Sequence, residues 1–407
     1  MRCMIFIDLL AQVIAEQNEN FLQKQLISRE MAIPIPSNQI LVVSGVRRCG
    51  KSVLIRKSLP IDAPGLYLNF EDPRLVDFEA ADFPKLAQLR DELGKTSILL
   101  DEVQTVVGWE IFARSLHEKG EKLYITGSNA SMLSRELGTR LTGRYKQVEL
   151  FPFSYTEFLL FKQLSPGEES FETYFQSGGF PEFLQNQDPD YLRTLLRDIL
   201  TRDVAVRRNI SNETALIRLG VFLSSNVAKP FSYARIGSLL EIKSVRTVID
   251  YCDYLAESYL FDLIPMYSPS IRKQLANPKK AFCVDPALAS ANSLSFSKDQ
   301  GRKLENYVYL HLRRSFKEIQ YFQTKDSECD FVLKWNEDII GAVQVCWDLN
   351  ADTLQRELKG LRAALDETQG SQGVLLTWNQ EDVLDGIIVL PVWKWMMQPA
   401  SQFFKIG

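Results

Sequence analysis

Eight residues, GVRRCGKS from Gly45 to Ser52, set two glycines, a lysine and a hydroxyl at the spacing G-x-x-x-x-G-K-[ST]. Glycine lacks the Cβ that would block a tight turn, so Gly45 and Gly50 let the backbone come close to an anion. The N–H groups running through Val46, Arg47, Arg48 and Cys49 into Lys51, Ser52 and Val53 form a nest for negative oxygens at a helix start. Lys51 then reaches β- and γ-phosphates, and the Ser52 hydroxyl ligates magnesium. An apolar run before the loop and a helical pattern after it complete the context. A glycine turn that merely joins strand to helix is the alternative, and a second motif argues against it.

That motif is SILLDEVQ, an apolar run ending in Asp101 and Glu102 about fifty residues downstream. Asp101 stands where a carboxylate holds magnesium through its water shell, and Glu102 where one polarises an attacking water. Alone, the pair reads equally as a helix cap; coupled to the phosphate loop, it reads as catalytic. YITGSNAS supplies a third buried run ending in Ser128 and Asn129, placed to contact a γ-phosphate or the water, or simply to form a turn. Arg135, Arg140 and Arg144 follow in RELGTRLTGRYKQVEL. They read either as fingers reaching a neighbouring subunit's γ-phosphate or as a solvated basic helix end. Cys49, beside Lys51 and a helix N-terminus, is expected to favour thiolate and to be shielded by bound ATP. A buried inert thiol is the alternative.

These residues need elements to hold them. Short apolar runs at 40–44, 66–70, 97–101, 123–127 and 147–151 alternate with helical patterns at 51–59, 83–93, 110–119 and 131–140. Continuous apolar strands separated by helices predict a parallel sheet covered on both faces. Ahead of them, residues 5–30 read as an amphipathic helix that ends before IPIPSN, whose Pro34 and Pro36 forbid helix. Ser154 and Glu157 in PFSYTEFL form a capping box. From about 171 to 265 helical periodicity dominates, with helices expected at 213–227, 232–240 and 244–258. A candidate hairpin, YLFDLIPMY and KKAFCVD, follows. That order is helix-turn-helix plus wing. Beyond Phe296 come a helix near 300–315, strands near 319–323, 329–335 and 339–347, a helix at 352–367 and a strand at 373–377. The organisation expected is therefore 1–38 helix and linker, 39–204 phosphate-loop core, 205–295 winged helix and 296–407 a separate α/β domain.

Composition sets outer bounds. The 407 residues, 45% hydrophobic and 24% charged, suit several globular domains rather than a disordered or fibrous chain. Asp8 interrupts the apolar start, which argues against a signal peptide, and no run approaches the ~18 apolar residues of a membrane helix. The six cysteines are scattered, with no CxxC pair, which fits a reducing cytoplasm. Only two histidines are present, which excludes a histidine-rich metal site. The net charge of −4 hides an asymmetry, since residues 205–280 carry eleven Lys/Arg against six Asp/Glu. This basic island is either a nucleic-acid footprint or an ordinary solvated surface.

Together, GVRRCGKS, LLDEVQ, ITGSNASMLSRELGTRLTGR, LFPFSYTEFL, SGGFPEF and LLRDILTRDV resemble the recurrent blocks of a bacterial and archaeal family of AAA-like ATPases. That family carries a C-terminal domain of unknown function. The resemblance spans nearly the whole chain. It implies ATP and Mg2+ binding, a winged-helix middle and a C-terminal part similar to restriction-endonuclease-like folds. Such a fold holds metal with a helix Glu, a strand Asp and a strand (Asp/Glu)-x-Lys. Glu305 and Asp330 match the first two, but Gln344 and Cys346 stand in the third. Glu328 lies on the same strand face as Asp330 and could replace the acid, while Lys325 and Lys334 are the nearby lysines. The domain thus reads as a scaffold for DNA or protein. Lys243, Arg246 and Thr247 open the would-be recognition helix, but Asp250, Asp253 and Glu257 follow, so DNA contact and protein packing both stand. Three functions fit: an ATPase acting on a nucleic-acid or protein partner, as a homo-oligomer where the arginines serve as fingers; a nucleotide-gated switch; and an ATP-regulated nuclease, against which Gln344 and Cys346 argue. Glu102 favours the first over the second.

Overall fold

The computed structural model describes residues 5–19, 27–31, 39–57, 59, 65–129, 141–294 and 299–404. The chain forms two compact units, Met1–Phe151 with Glu257–Tyr259, and Pro152–Ala256 with Leu260–Gly407.

In the first unit five short strands, Ile40–Ser44 (β1), Gly65–Asn69 (β2), Ser97–Asp101 (β3), Lys122–Gly127 (β4) and Tyr145–Glu149 (β5), make one parallel sheet in the order β2-β3-β4-β1-β5. β1 and β3 are buried at all five positions, which is why both read as unbroken apolar runs. Helices Ile7–Glu19, Phe83–Glu92 and Trp109–Glu118 lay Leu10, Val13, Ile14, Phe83, Leu86, Trp109 and Leu116 against Val42, Leu68, Leu100 and Ile125. Each such side chain contributes about 1.5–3 kcal/mol by leaving water. Two expectations are corrected. The first helix covers Ile7–Glu19 and residues 27–31 are not helical, so it does not run to residue 30. The fifth strand lies at Tyr145–Glu149, two residues earlier than expected, because it pairs in register with all of β1. The expected helix at 131–140 and the prolines 34 and 36 lie outside the described residues.

The second unit opens with helices, the first capped as expected by the reciprocal Ser154–Glu157 box. The chain then passes through a π-helical turn, Ile199–Val206, and helices Glu213–Ser225, Tyr233–Leu239 and Val245–Glu257. Pro230–Phe231 (β6), Phe261–Pro265 (β7) and Lys279–Cys283 (β8) form an antiparallel sheet in the order β6-β8-β7. A short helix, Ile271–Ala276, which the sequence reading missed, interrupts the β7–β8 connection.

Helix Gln300–Ser315 leads into a six-stranded mixed sheet. Its strands are Glu318–Gln323 (β9), Glu328–Trp335 (β10), Asp338–Cys346 (β11), Gln372–Thr377 (β12), Asp382–Leu384 (β13) and Ile387–Pro391 (β14), in the order β13-β14-β12-β11-β10-β9. β13 and β14 were not expected; β13 is three largely exposed residues, too short to show a period. Helix Ala351–Thr368 packs Leu361 and Ala364 on this sheet against Val332, Ala342 and Leu375.

Candidate functional site

β1 delivers the chain to the phosphate loop, and helix Lys51–Lys57 takes it away. Gly45 has φ 145°, and a Cβ there would lie 2.2 Å from the Leu150 carbonyl oxygen. Only glycine passes that point. Gly50 at φ 102° and Arg48 at φ 68° complete a turn that ordinary residues resist. The Arg29 guanidinium braces the loop, donating to the carbonyls of Cys49 (3.0 Å) and Phe151 (2.6 Å). Val46 is fully buried, Val53 half-buried on the following helix, and Arg47 pairs with Glu71 at 2.7 Å.

Cys49 departs from expectation. It is fully buried and its thiol donates to the Leu150 carbonyl at 3.3 Å. Burial pushes this thiol up, against the opposing pull of Lys51 and Arg29, so it is held as thiol rather than thiolate. The expected reactivity assumed that proximity to cations decides; desolvation outweighs it.

Lys51 is buried, with Nζ donating to the carbonyls of Gly45 (3.2 Å) and Val46 (3.1 Å) and lying 3.4 Å from Glu102 Oε1. Register places Asp101 at the end of β3 beside Asn69 of β2. The Asp101 carboxylate accepts from the hydroxyls of Tyr67, Thr126 and Ser52. Burial, and next the charge of Glu102, raise its pKa despite those three donors. Glu102 takes the left-handed conformation (φ 53°), with its N–H held by Thr126 Oγ1 at 3.0 Å. That turn aims its carboxylate back at the loop. Its Oε2 accepts from Gln104 (2.5 Å) and Ser128 (3.0 Å). Burial pushes Glu102 up, but Lys51, Gln104, Ser128 and Arg47 together hold it below the ordinary value.

Lys51, Ser52, Asp101, Glu102 and Ser128 therefore converge at the carboxyl ends of β1, β3 and β4, the edge where open α/β sheets bind ligands. Asn129 is buried next to Ser128. Gln104, Thr126 and Tyr67 join the cluster. Sequence reasoning missed them because a polar residue inside an apolar run gives no hint of which carboxylate it will face. Arg144 does not join: it precedes β5 at the end of the sheet where strands begin, its carbonyl bonded to the Ile40 N–H and its charge near Glu118. Arg135 and Arg140 lie outside the described residues.

The loop fits a nucleotide: its glycines leave room at the backbone and a buried ammonium stands over it. Ser52 and Asp101, already hydrogen-bonded to each other, are the pair that would hold Mg2+. Among the described residues no three His, Cys, Asp or Glu side chains group as a metal cage. An ion shared with phosphates and waters needs none.

The second unit contains a different constellation. Glu305 and Asp330 come together, but the cation between them is Lys280 of β8, neither Lys325 nor Lys334. Lys280 Nζ lies 3.0 Å from Glu305, 3.0 Å from Glu328 and 3.4 Å from Asp330. Gln344 accepts from the Asp330 N–H (3.2 Å) and donates to Glu357 (2.5 Å), while Asp330 Oδ2 accepts from the Val345 N–H (3.0 Å). Cys346 donates to the Asp348 carbonyl. Burial, and next the Asp330 charge, push Glu305 up, while the Lys280 ammonium pulls it down. These residues do not fit a divalent metal, because an ammonium already takes the carboxylate oxygens and an amide replaces the third acid.

Residues 37–159, which include the phosphate loop, Asp101 and Glu102, match the AAA domain family, and residues 168–300 match a domain of unknown function, DUF8612. The chain is 30% identical to Uncharacterized protein MJ1544 of Methanocaldococcus jannaschii, over 96% of this chain and 95% of the relative. An uncharacterized protein of Haemophilus influenzae is 28% identical, over 93% of this chain and 98% of its own length. Uncharacterized protein MJ1637 of M. jannaschii is 21% identical, with 88% of this chain and 84% of the relative covered.

Proposed function

The chain belongs to the family of MJ1544, and from that membership and its AAA domain we propose that it is a magnesium-dependent ATPase whose turnover drives or gates action on a nucleic-acid or protein partner. One observation carries the reading: an ionised Glu102 sits 3.4 Å from the Lys51 ammonium, next to an Asp101 that is hydrogen-bonded to Ser52.

In this reading Lys51 exchanges the carbonyls of Gly45 and Val46 for phosphate oxygens, and Ser52 and Asp101 would hold Mg2+, which would supply charge neutralisation on the phosphates. Glu102, released from Lys51 but still oriented by Gln104 and Ser128, accepts a proton from the attacking water. Ser128 and Asn129 position that water or the γ-phosphate. A nucleotide-gated switch is the second reading, and a base held ionised and aimed by two donors, Gln104 and Ser128, speaks against it. The helix order from Glu213 to Glu257 with the β7–β8 hairpin supports a winged-helix domain over 205–295. The sheet after Gln300 supports an endonuclease-like scaffold over 296–407 used for binding. Free thiols at the five described cysteines suit a reducing cytoplasm.

The test is ATP turnover with and without DNA, in the parent chain, Lys51→Ala and Glu102→Gln. Lys51→Ala should lose ATP affinity. Glu102→Gln should keep affinity and lose about 10²–10⁴-fold in kcat. Parental turnover by Glu102→Gln removes the general-base assignment.

A further inference from the structure

We infer that Lys280 is a built-in cation, filling the acidic site of the second unit in the place a divalent ion would take and making that site a structural joint closed to metal. The inference is independent of the ATPase reading, since no residue of the phosphate loop enters it.

Stoichiometry comes first. An ammonium has three donors and no acceptor. Three carboxylates, Glu305, Glu328 and Asp330, surround Nζ at 3.0, 3.0 and 3.4 Å; Nζ donates hydrogen bonds to Glu305 and Asp330 and forms an ion pair with Glu328. The lysine is 1% exposed and Glu305 and Asp330 are buried with it, while Glu328 closes the site from its solvent-facing side. A charge so buried survives only when paired and fully hydrogen-bonded.

The lysine is also fixed at its backbone. On the same face of β8, two residues on, Phe282 stacks on Tyr309 with centroids 4.3 Å apart and leans on Phe331 at 5.5 Å. The next residue, Cys283, exchanges both backbone hydrogen bonds with the side chain of fully buried Asn306, each at 2.8 Å. Tyr321 lies under the ammonium, 5.3 Å from ring centre to Nζ, and its hydroxyl donates to the Pro278 carbonyl. β8 is thereby held along helix Gln300–Ser315 and β9–β10, so the ammonium is pre-positioned rather than a surface lysine folded inward.

The rest of the site is adapted to a monovalent occupant. Gln344 occupies a position where a third acid would raise the negative charge, and its amide bridges Asp330 to Glu357. Glu357 has its own cation in Arg356 at 2.5 Å. Both oxygens of Asp330 are engaged: one faces Lys280 and the other takes the Val345 N–H. A divalent ion could enter only by expelling the lysine from the carboxylates that pair it.

The experiment uses the full chain without nucleotide, with terbium luminescence as the binding readout and Mn2+-dependent thermal unfolding as the second. The parent should give no terbium signal that Asp330→Asn removes, and no Mn2+ shift that Asp330→Asn removes. Ions at Ser52 and Asp101 contribute equally to every variant and cancel in the comparison. Lys280→Ala should melt roughly 10 °C lower, the effect of stranding buried carboxylates. Mn2+ should restore part of that loss in Lys280→Ala but not in Lys280→Ala/Asp330→Asn. Terbium binding by the parent that Asp330→Asn abolishes overturns the inference. So does a folded Lys280→Ala that gains nothing from Mn2+. Should Lys280→Ala not fold, the parent against Asp330→Asn still decides, because that arm needs no lysine variant.

Discussion

Single side chains in the phosphate loop show burial overruling local charge. Cys49 neighbours Lys51 and a helix start, both of which favour a thiolate. Yet its sulfur is fully buried against the Leu150 carbonyl, and desolvation disfavours the ion more strongly than the cations favour it. Alkylation of the native protein at neutral pH should therefore leave Cys49 unmodified whether or not ATP is present. Mass spectrometry of iodoacetamide-treated protein checks this, and rapid Cys49 labelling in the native state would contradict the burial account. Glu102 is the opposite case. It is buried too, but one ammonium and two hydrogen-bond donors outweigh the burial.

At the scale of elements, Asp285 joins two segments far apart in sequence. It caps helix Pro286–Asn292 through the Leu288 N–H (2.9 Å) and accepts from the Gly179 N–H at 2.7 Å. That contact explains the paired glycines of SGGFPEF. A Cβ on Gly178 would fall 2.4 Å from Asp285, and one on Gly179 would fall 2.3 Å from the Phe153 carbonyl. Burial raises Asp285 from 3.8 to about 6, against the pull of its backbone donors. The folded state then binds this proton more tightly than the unfolded chain does. Its contribution is favourable below the unfolded value and is lost as pH rises through about 6. Denaturant unfolding between about pH 4 and 6.5 should show parent stability falling by about 2–3 kcal/mol relative to Asp285→Asn, whose side chain cannot titrate. Parallel pH profiles for the two proteins would remove Asp285 as the titrating group.

For the whole molecule the open element is the arginine before β5. A five-residue strand spans about 16 Å, and Arg144 stands at its far end from the loop of its own chain. If Arg144 acts on phosphate, it acts on that of a second copy. Arg144→Ala should then bind ATP normally and hydrolyse it slowly. Mixing it with Lys51→Ala should restore turnover, since each copy supplies what the other lacks. The absence of rescue at every mixing ratio assigns Arg144 a structural role at the sheet edge, near Glu118.

What the amino-acid sequence determined by itself was local chemistry with strict spacing. The G-x-x-x-x-G-K-S loop, the Asp-Glu after an apolar run and the alternation of buried strands with helices were legible because each rule acts within a few residues. The five strands of the parallel sheet followed from continuous apolar runs, although the fifth shifted by two residues to keep register with β1. Only tertiary structure decided which polar groups meet across strands. Tyr67 and Thr126 on Asp101, Gln104 and Ser128 on Glu102, and Lys280 among Glu305, Glu328 and Asp330 all depend on register and packing. Lys280 lies 25 residues from Glu305 and 50 from Asp330, in a strand whose sequence looks merely basic. Burial is the physical reason: it sets both who faces whom and which charge state survives, and it is a property of the folded chain as a whole.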